Sequence, residues 1–204
     1  MKNLRQASLR LCACAALLAS AAALQGCFPV IVGGAAATAF AVSDRRQPEV
    51  ILGDKRIEYT ASNRIGDVWG GRGAHINISS YNYTVLLTGE APTPEAKAEI
   101  EKIASEVPQV KNVVNEVEVA GKTSGTSRSS DTIITGKVKG NLLSDAKGRY
   151  EPDQVKVVTE RAVVYLMGLV TRQEAEDITE VARTTSGVLK VVRVFEYIQP
   201  PAKP

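Results

Sequence analysis

The sequence predicts an α+β protein made of two tandem copies of one αββαβ domain, each with two helices laid on a three-stranded mixed sheet. Three observations carry this. The stretch VLLTGEAPTPEAKAEIEKIASEVPQVKNVV, Val85 to Val114, returns as VYLMGLVTRQEAEDITEVARTTSGVLKVV, Val164 to Val192. In both copies the apolar spacing switches between two, the period of a half-buried strand, and three to four, the period of a helix face. Placing Gly89 on Gly168 sets Ile76, Ile78 and Val85 on Val155, Val157 and Val164; with one residue fewer after the glycine, Ile100, Ala104, Val110 and Val114 then fall on Ile178, Ala182, Val188 and Val192.

The elements follow in chain order. Residues 1–26 read as an export signal: Lys2, Arg5 and Arg10 precede the uncharged run Leu11 to Leu24, which is too short for a permanent membrane span. Leu24-Gln25-Gly26-Cys27 then resembles a bacterial lipobox, which implies diacylation of Cys27 as the new N-terminus. Cys12 and Cys14 fall in the signal, so Cys27 would be alone in the mature chain, with no disulfide or cysteine metal site to form. In Gram-negative lipoproteins, Phe28 after the cysteine, where an Asp would retain the chain, implies passage to the outer membrane. Residues 27–45 form the acylated cysteine and a tether; the Gly/Ala-rich FPVIVGGAAATAFAV suits a flexible segment or a short helix lying in the lipid interface.

The first domain spans 46–119. Its opening helix is the polar DKRIEYTASNRIG, and RIGDVWGGRGAHINI reads as loop and strand; Trp69 there is either a lid on a small core or a membrane anchor. A hairpin follows, then a helix that Thr93-Pro94 starts and Pro108 stops. Residues 120–130, AGKTSGTSRSS, read as a flexible linker. The second domain spans 131–198. Ile134, Val138 and Leu142 mark a helix beginning after Asp131 as N-cap, and VKVVTERAVVYLMG alternates about a Glu160-Arg161 turn. Thr171 with Glu174 forms a capping-box pattern, Gly187 is placed to end that helix, LKVVRVFEYI closes the sheet, and 199–204 form a tail.

Composition narrows the function. Without the three basic residues of the signal, 22 Lys and Arg face 22 Asp and Glu, so no basic field argues for nucleic acid. The single histidine, His75, has no ligand-type neighbours in sequence, and Gly70-Gly71 lacks the spacing of a phosphate loop. No enzyme, cofactor or metal is expected. Binding is the better class, and the first helix of the second copy is its place. With Ile134, Val138 and Leu142 facing the core, Ile133, Lys137, Gly140 and Asn141 lie toward the outside, flanked by Lys139. An apolar side chain beside lysines suits an anionic bilayer surface; alternatively Ile133 packs against the first domain or the sheet.

The element order, the V.L.G hairpin and the A…GV..V close of the second copy, densest in VYLMGLVT, Val164 to Thr171, resemble the BON domain. Two such domains after a lipobox resemble the dual-BON outer-membrane lipoproteins. That resemblance implies a non-enzymatic, lipid-anchored protein on the periplasmic face that maintains outer-membrane integrity. It implies that the helix carrying Ile133 binds anionic phospholipid such as phosphatidylglycerol or cardiolipin; the family has a tryptophan where this chain has Ile133, so an aromatic interfacial anchor is lost. It further implies placement at division sites and a link to the outer-membrane protein assembly machinery. The alternative is a protein-binding adaptor whose only membrane contact is the acylated Cys27. Cys27→Ala is expected to abolish fatty-acid incorporation in metabolic labelling and to move the chain out of the membrane fraction.

Overall fold

Two β-hairpins with left-handed tips organise the molecule, whose computed structural model describes residues 44–120, 125–146 and 149–200. The signal, Cys27, the tether up to residue 43 and the last four residues lie outside the described residues. Strands β1 (His75–Tyr81) and β2 (Thr84–Ala91) pair antiparallel from His75↔Glu90 to Tyr81↔Thr84. Their counterparts β5 (Val155–Glu160) and β6 (Val163–Val170) pair from Val155↔Gly168 to Glu160↔Val163. Each hairpin turns on two residues of positive φ, Asn82 (52°) and Tyr83 (68°), then Arg161 (51°) and Ala162 (61°). That geometry matches the twist of the strands but favours glycine, and none is present.

The first helix of each domain supplies the compensation. In α1 (Pro48–Trp69), the Asp54 carboxylate accepts from the backbone N–H groups of Asn82 and Tyr83, both at 2.8 Å. In α3 (Gly125–Asp145), Asp131 accepts from those of Arg161 (2.9 Å) and Ala162 (2.8 Å). Asp131 is therefore not an N-cap, and the turn centres one residue later than Glu160-Arg161. The helix begins at Gly125, inside the stretch read as linker, because the carboxylate serves the hairpin and not the start of its own helix. Likewise α1 runs on through Arg64–Trp69, read as loop: Ile57, Ala61 and Ile65 keep one buried face until Gly70. Trp69 packs as a lid on this first core.

The remaining elements complete the pattern. Helix α2 (Pro94–Ser105) starts where Thr93 Oγ1 accepts from Ala96 N at 3.2 Å. Strands β3 (Asn112–Asn115) and β4 (Glu118–Val119) both run parallel to β2, a break at Glu116-Val117 making one closing strand into two. Helix α4 (Arg172–Thr184) carries the full Thr171–Glu174 capping box. It ends at Thr184, three residues before Gly187, whose φ of +97° turns the loop instead. Strand β7 (Lys190–Tyr197) pairs parallel with β6, and a 3₁₀ turn (Pro152–Gln154) precedes β5. Gly89 is obligatory in β2: a Cβ there would lie 2.0 Å from the His75 carbonyl. The fold is α+β, four helices among the described residues on two mixed sheets.

Helices cover one face of each sheet, burying Ile57, Leu87 and Ile100 in one core and Val138, Leu142, Leu166 and Ile178 in the other. The opposite faces pack on each other, with Tyr81 and Leu86 against Tyr165 and Met167. Small domains gain core by such pairing. Polar contacts rim this seam: Tyr81 Oη donates to the Gln154 carbonyl (2.9 Å), Asn77 Nδ2 to Glu160 (2.7 Å), Lys156 to Glu58, and Arg161 to Glu118 (2.6 Å). Burial would raise the Glu58 carboxyl, but hydrogen bonds from Lys156, Lys55 and Ser80 N outweigh it and hold it below the usual range. Glu160 goes the other way, pushed up by burial and by the charges of Glu90 and Asp131 against the opposing hydrogen bond from Asn77.

Two outcomes are expected. Asp131→Ala leaves two backbone N–H groups unmatched at a strained turn and costs about 2–3 kcal/mol in urea unfolding, with Asp131→Asn intermediate. The seam also sets a pH dependence. The contribution of Glu58, lowered in the folded state, is present above the ordinary carboxylate pKa and is lost as pH falls through its folded value; that of Glu160, raised, is present at low pH and lost as pH rises through its folded value. Urea midpoints at pH 4 and pH 7 should therefore show Glu58→Gln losing less on acidification than the wild type, and Glu160→Gln losing less on return to neutrality.

Candidate functional site

Helix α3 has one buried side and one open side. Asp131, Ile134, Val138 and Leu142 are buried, and Thr135 Oγ1 pairs with Thr159 Oγ1 of β5 at 2.7 Å. A quarter to half a turn away the helix presents Ile133, Gly136, Lys137, Gly140, Leu143 and Ser144, all exposed. Ile133 is 59% exposed and Leu143 70%, so neither packs on the first domain or the sheet. Nothing comes within 4 Å of a Cβ built at Gly136 or Gly140. Ile133, Gly136, Gly140 and Leu143 thus form a shallow apolar strip, flat at its centre and raised at both ends, along about 15 Å of helix.

The strip's own stretch of helix carries charges of one sign, and Asp153 lines the cleft beside Lys139 and Leu143. Between Asp131 and Asp145 the sequence holds Lys137 and Lys139 and no acid. Among the described residues neither lysine enters an ion pair; Lys137 Nζ donates to Ser186 Oγ at 3.1 Å, and Lys139 is exposed on the rim of a 250 Å³ cleft floored by Leu142, Val155 and Val157. Asn141 Nδ2 donates to Thr185 Oγ1 at 2.9 Å. The residues expected from sequence therefore divide. All five are exposed; among the described residues Ile133, Lys139 and Gly140 have no such partner, whereas Lys137 and Asn141 also reach the loop after α4 and tie the two helices together.

Sequence reasoning passed over Leu143, although the period that places Ile134, Val138 and Leu142 inside leaves it outside. It also passed over Leu189, 82% exposed in the loop after α4, and a strip on α1, where Leu52 and Tyr59, seven residues apart, are 59% and 71% exposed beside Lys55 and Arg56. Cys27 lies outside the described residues. His75 opens β1, half-buried, and among the described residues no group of three or more His, Cys, Asp or Glu is placed to hold a metal ion. No described helix is long and apolar enough to cross a membrane.

Comparison with known proteins agrees with the duplicated architecture. The BON domain family model matches twice, at residues 54–121 and 130–199. The chain is 34% identical over 185 residues to the outer membrane lipoprotein DolP of Haemophilus influenzae, covering 90% of this chain and 95% of that protein. It is 36% identical over 126 residues to a 21 kDa hemolysin of Actinobacillus pleuropneumoniae, covering 62% of this chain and 64% of that one. Among solved structures, CdsD, a structural protein of the type III secretion system of Chlamydia trachomatis, aligns over 68% of this chain and 92% of its own at 10% identity and a TM-score of 0.29, a level that bears no argument.

Proposed function

We propose that this chain, which belongs to the BON-domain family, is a non-enzymatic outer-membrane lipoprotein on the periplasmic face that binds anionic phospholipid through α3 of its second domain. Its kinship with an outer membrane lipoprotein supports the location, and the lipobox-like Leu24-Gln25-Gly26-Cys27 supports anchoring by acylation. The observation that carries the lipid reading is the open strip from Ile133 to Leu143, with Lys137 and Lys139 on its flanks and no acid in the helix sequence between Asp131 and Asp145.

The physics of an interfacial helix suits that strip. Two aliphatic side chains enter the boundary between headgroups and acyl chains, while glycines between them let the backbone approach closely. Each lysine near an anionic surface contributes about 1 kcal/mol, a term that salt weakens. Phosphatidylglycerol and cardiolipin supply the charge. Holding the second domain on the inner leaflet of the outer membrane would then support envelope integrity, and placement at division sites or beside the outer-membrane assembly machinery would follow from family kinship.

A second reading has its own observation. Leu52 and Tyr59 on α1 make an exposed apolar pair of the size that anchors a protein partner. In that case the chain is an adaptor, and its contact with the membrane is the acylated Cys27 alone. Co-sedimentation of the fragment from Asp44 onward with liposomes separates the two. The lipid reading expects binding only when phosphatidylglycerol is present, loss of binding as salt rises, and loss of binding in Ile133→Asp with an unchanged melting curve. Absence of binding to either liposome would rule it out and leave the α1 face as the candidate.

A further inference from the structure

In the order of the chain, the second domain stands farthest from the acylated end. The first described residues nonetheless touch it. Arg45, the second described residue, reaches past the first domain to the start of α4: Nη1 donates to the Leu169 carbonyl (2.7 Å) and to Glu174 Oε2 (2.9 Å), and Nη2 donates to Glu174 Oε1 (2.7 Å). This is a two-pronged guanidinium–carboxylate pair with side chains only 22% and 12% exposed, unlike a solvated surface pair. Glu174 is held ready for it, since the capping box already fixes its carboxylate through Thr171 N at 2.7 Å.

Arg46 secures the other side of the same segment. Its guanidinium donates to Asp44 and, at 2.8 Å, to Asp54, and it lies 3.8 Å from the centre of the Tyr81 ring. Asp54 is the carboxylate that holds the first hairpin, and Tyr81 Oη reaches the Gln154 carbonyl of the second domain. Residues 44–46 therefore bridge both domains before the first helix has begun.

We infer that Arg45 is a positioning residue that fastens residues 44–46 to the second domain, so that the chain leading back to Cys27 sets out from beside α4 and the folded body turns the open face of α3 to the bilayer. This rests on the lipid reading above. The docking point lies at the right end of the domain: Asp177, one turn along α4 from Glu174, pairs with Arg149 at 3.6 Å, and Arg149 also pairs with Asp145, the last residue of α3 and two beyond Leu143. From Cys27 to Asp44 the arm has a contour of at most about 60 Å. A short arm rooted beside the binding face gives that face a high effective concentration at the membrane; an arm rooted only at α1 would let the two-domain body turn another face to the bilayer.

The test uses the full lipidated chain in nanodiscs containing phosphatidylglycerol. One measurement is the spin–spin distance between labels at Ser43→Cys and Gln173→Cys; the other is the accessibility of a label at Ser144→Cys to lipid-soluble and water-soluble relaxation agents. In the wild type the first pair is expected to be close and the Ser144 label to sit in the lipid phase. Arg45→Glu should lengthen the distance and move the Ser144 label into water, Arg45→Lys should retain much of both, and the soluble fragment should bind vesicles equally well with either residue. A long, broad distance in the wild type overturns the inference and leaves the lipid reading standing, as does a Ser144 label that stays in the lipid phase in Arg45→Glu. A short distance with no vesicle binding by the fragment overturns the lipid reading, and the shared-bilayer role with it.

Discussion

A buried aspartate in the first helix of each domain, clamping the two amides of a left-handed hairpin turn, is the constraint from which the rest of the structure hangs. Four non-glycine residues sit at positive φ in these turns, each at a cost of roughly 1–2 kcal/mol. Asp54 and Asp131 offset that cost with charge-assisted hydrogen bonds of 2.8 to 2.9 Å. The clamp fixes the helix against the hairpin tip, and the two-residue turn fixes the strand register. Register then decides which alternate residues meet the helices and which meet the other domain. In the first domain the same aspartate also receives Arg46, so the clamp, the seam and the entering arm share one carboxylate.

Much of this was legible in the sequence because it depends on local rules. The duplication, the strand and helix periods and the Thr93 and Thr171 caps need only neighbours a few residues away. The matched glycines Gly89 and Gly168 register a close approach of the adjoining strand, at 2.0 and 2.9 Å from carbonyl oxygens for a built Cβ, which is why they align the copies so well. Asp131 was misread for the opposite reason: an Asp before an apolar run satisfies the N-cap rule, while its true partners lie thirty residues away at Arg161 and Ala162. The seam between the sheets was equally beyond local reasoning, whereas the outward position of Leu143 follows from the four-residue period that puts Leu142 inside. Alternation marks two faces of a strand without saying that both will be buried.

The copies have diverged in how they treat the surface of their first helix. In the second domain Lys137 and Asn141 face the loop after α4, which fixes α3 in rotation about its own axis. That fixed rotation keeps Ile133, the two glycines and Leu143 outward, a shape suited to a planar surface. The first domain's α1 offers Leu52 and Tyr59 among Lys55, Arg56 and Glu58, and Glu58 is drawn into the seam by Lys156. Duplication thus yields one helix whose polar residues serve the domain interface and another whose polar residues leave a face free.

The central claim is that the open face of α3 is the part of the folded body that meets an anionic bilayer. The most direct measurement is residue-resolved amide NMR of the soluble fragment during titration with small bicelles, with and without phosphatidylglycerol. The account predicts broadening and shifts centred on Ile133, Gly136, Gly140 and Leu143, only with the anionic lipid, and suppressed by salt. Perturbation centred on Leu52 and Tyr59 of α1, or the same response with uncharged bicelles, would contradict it.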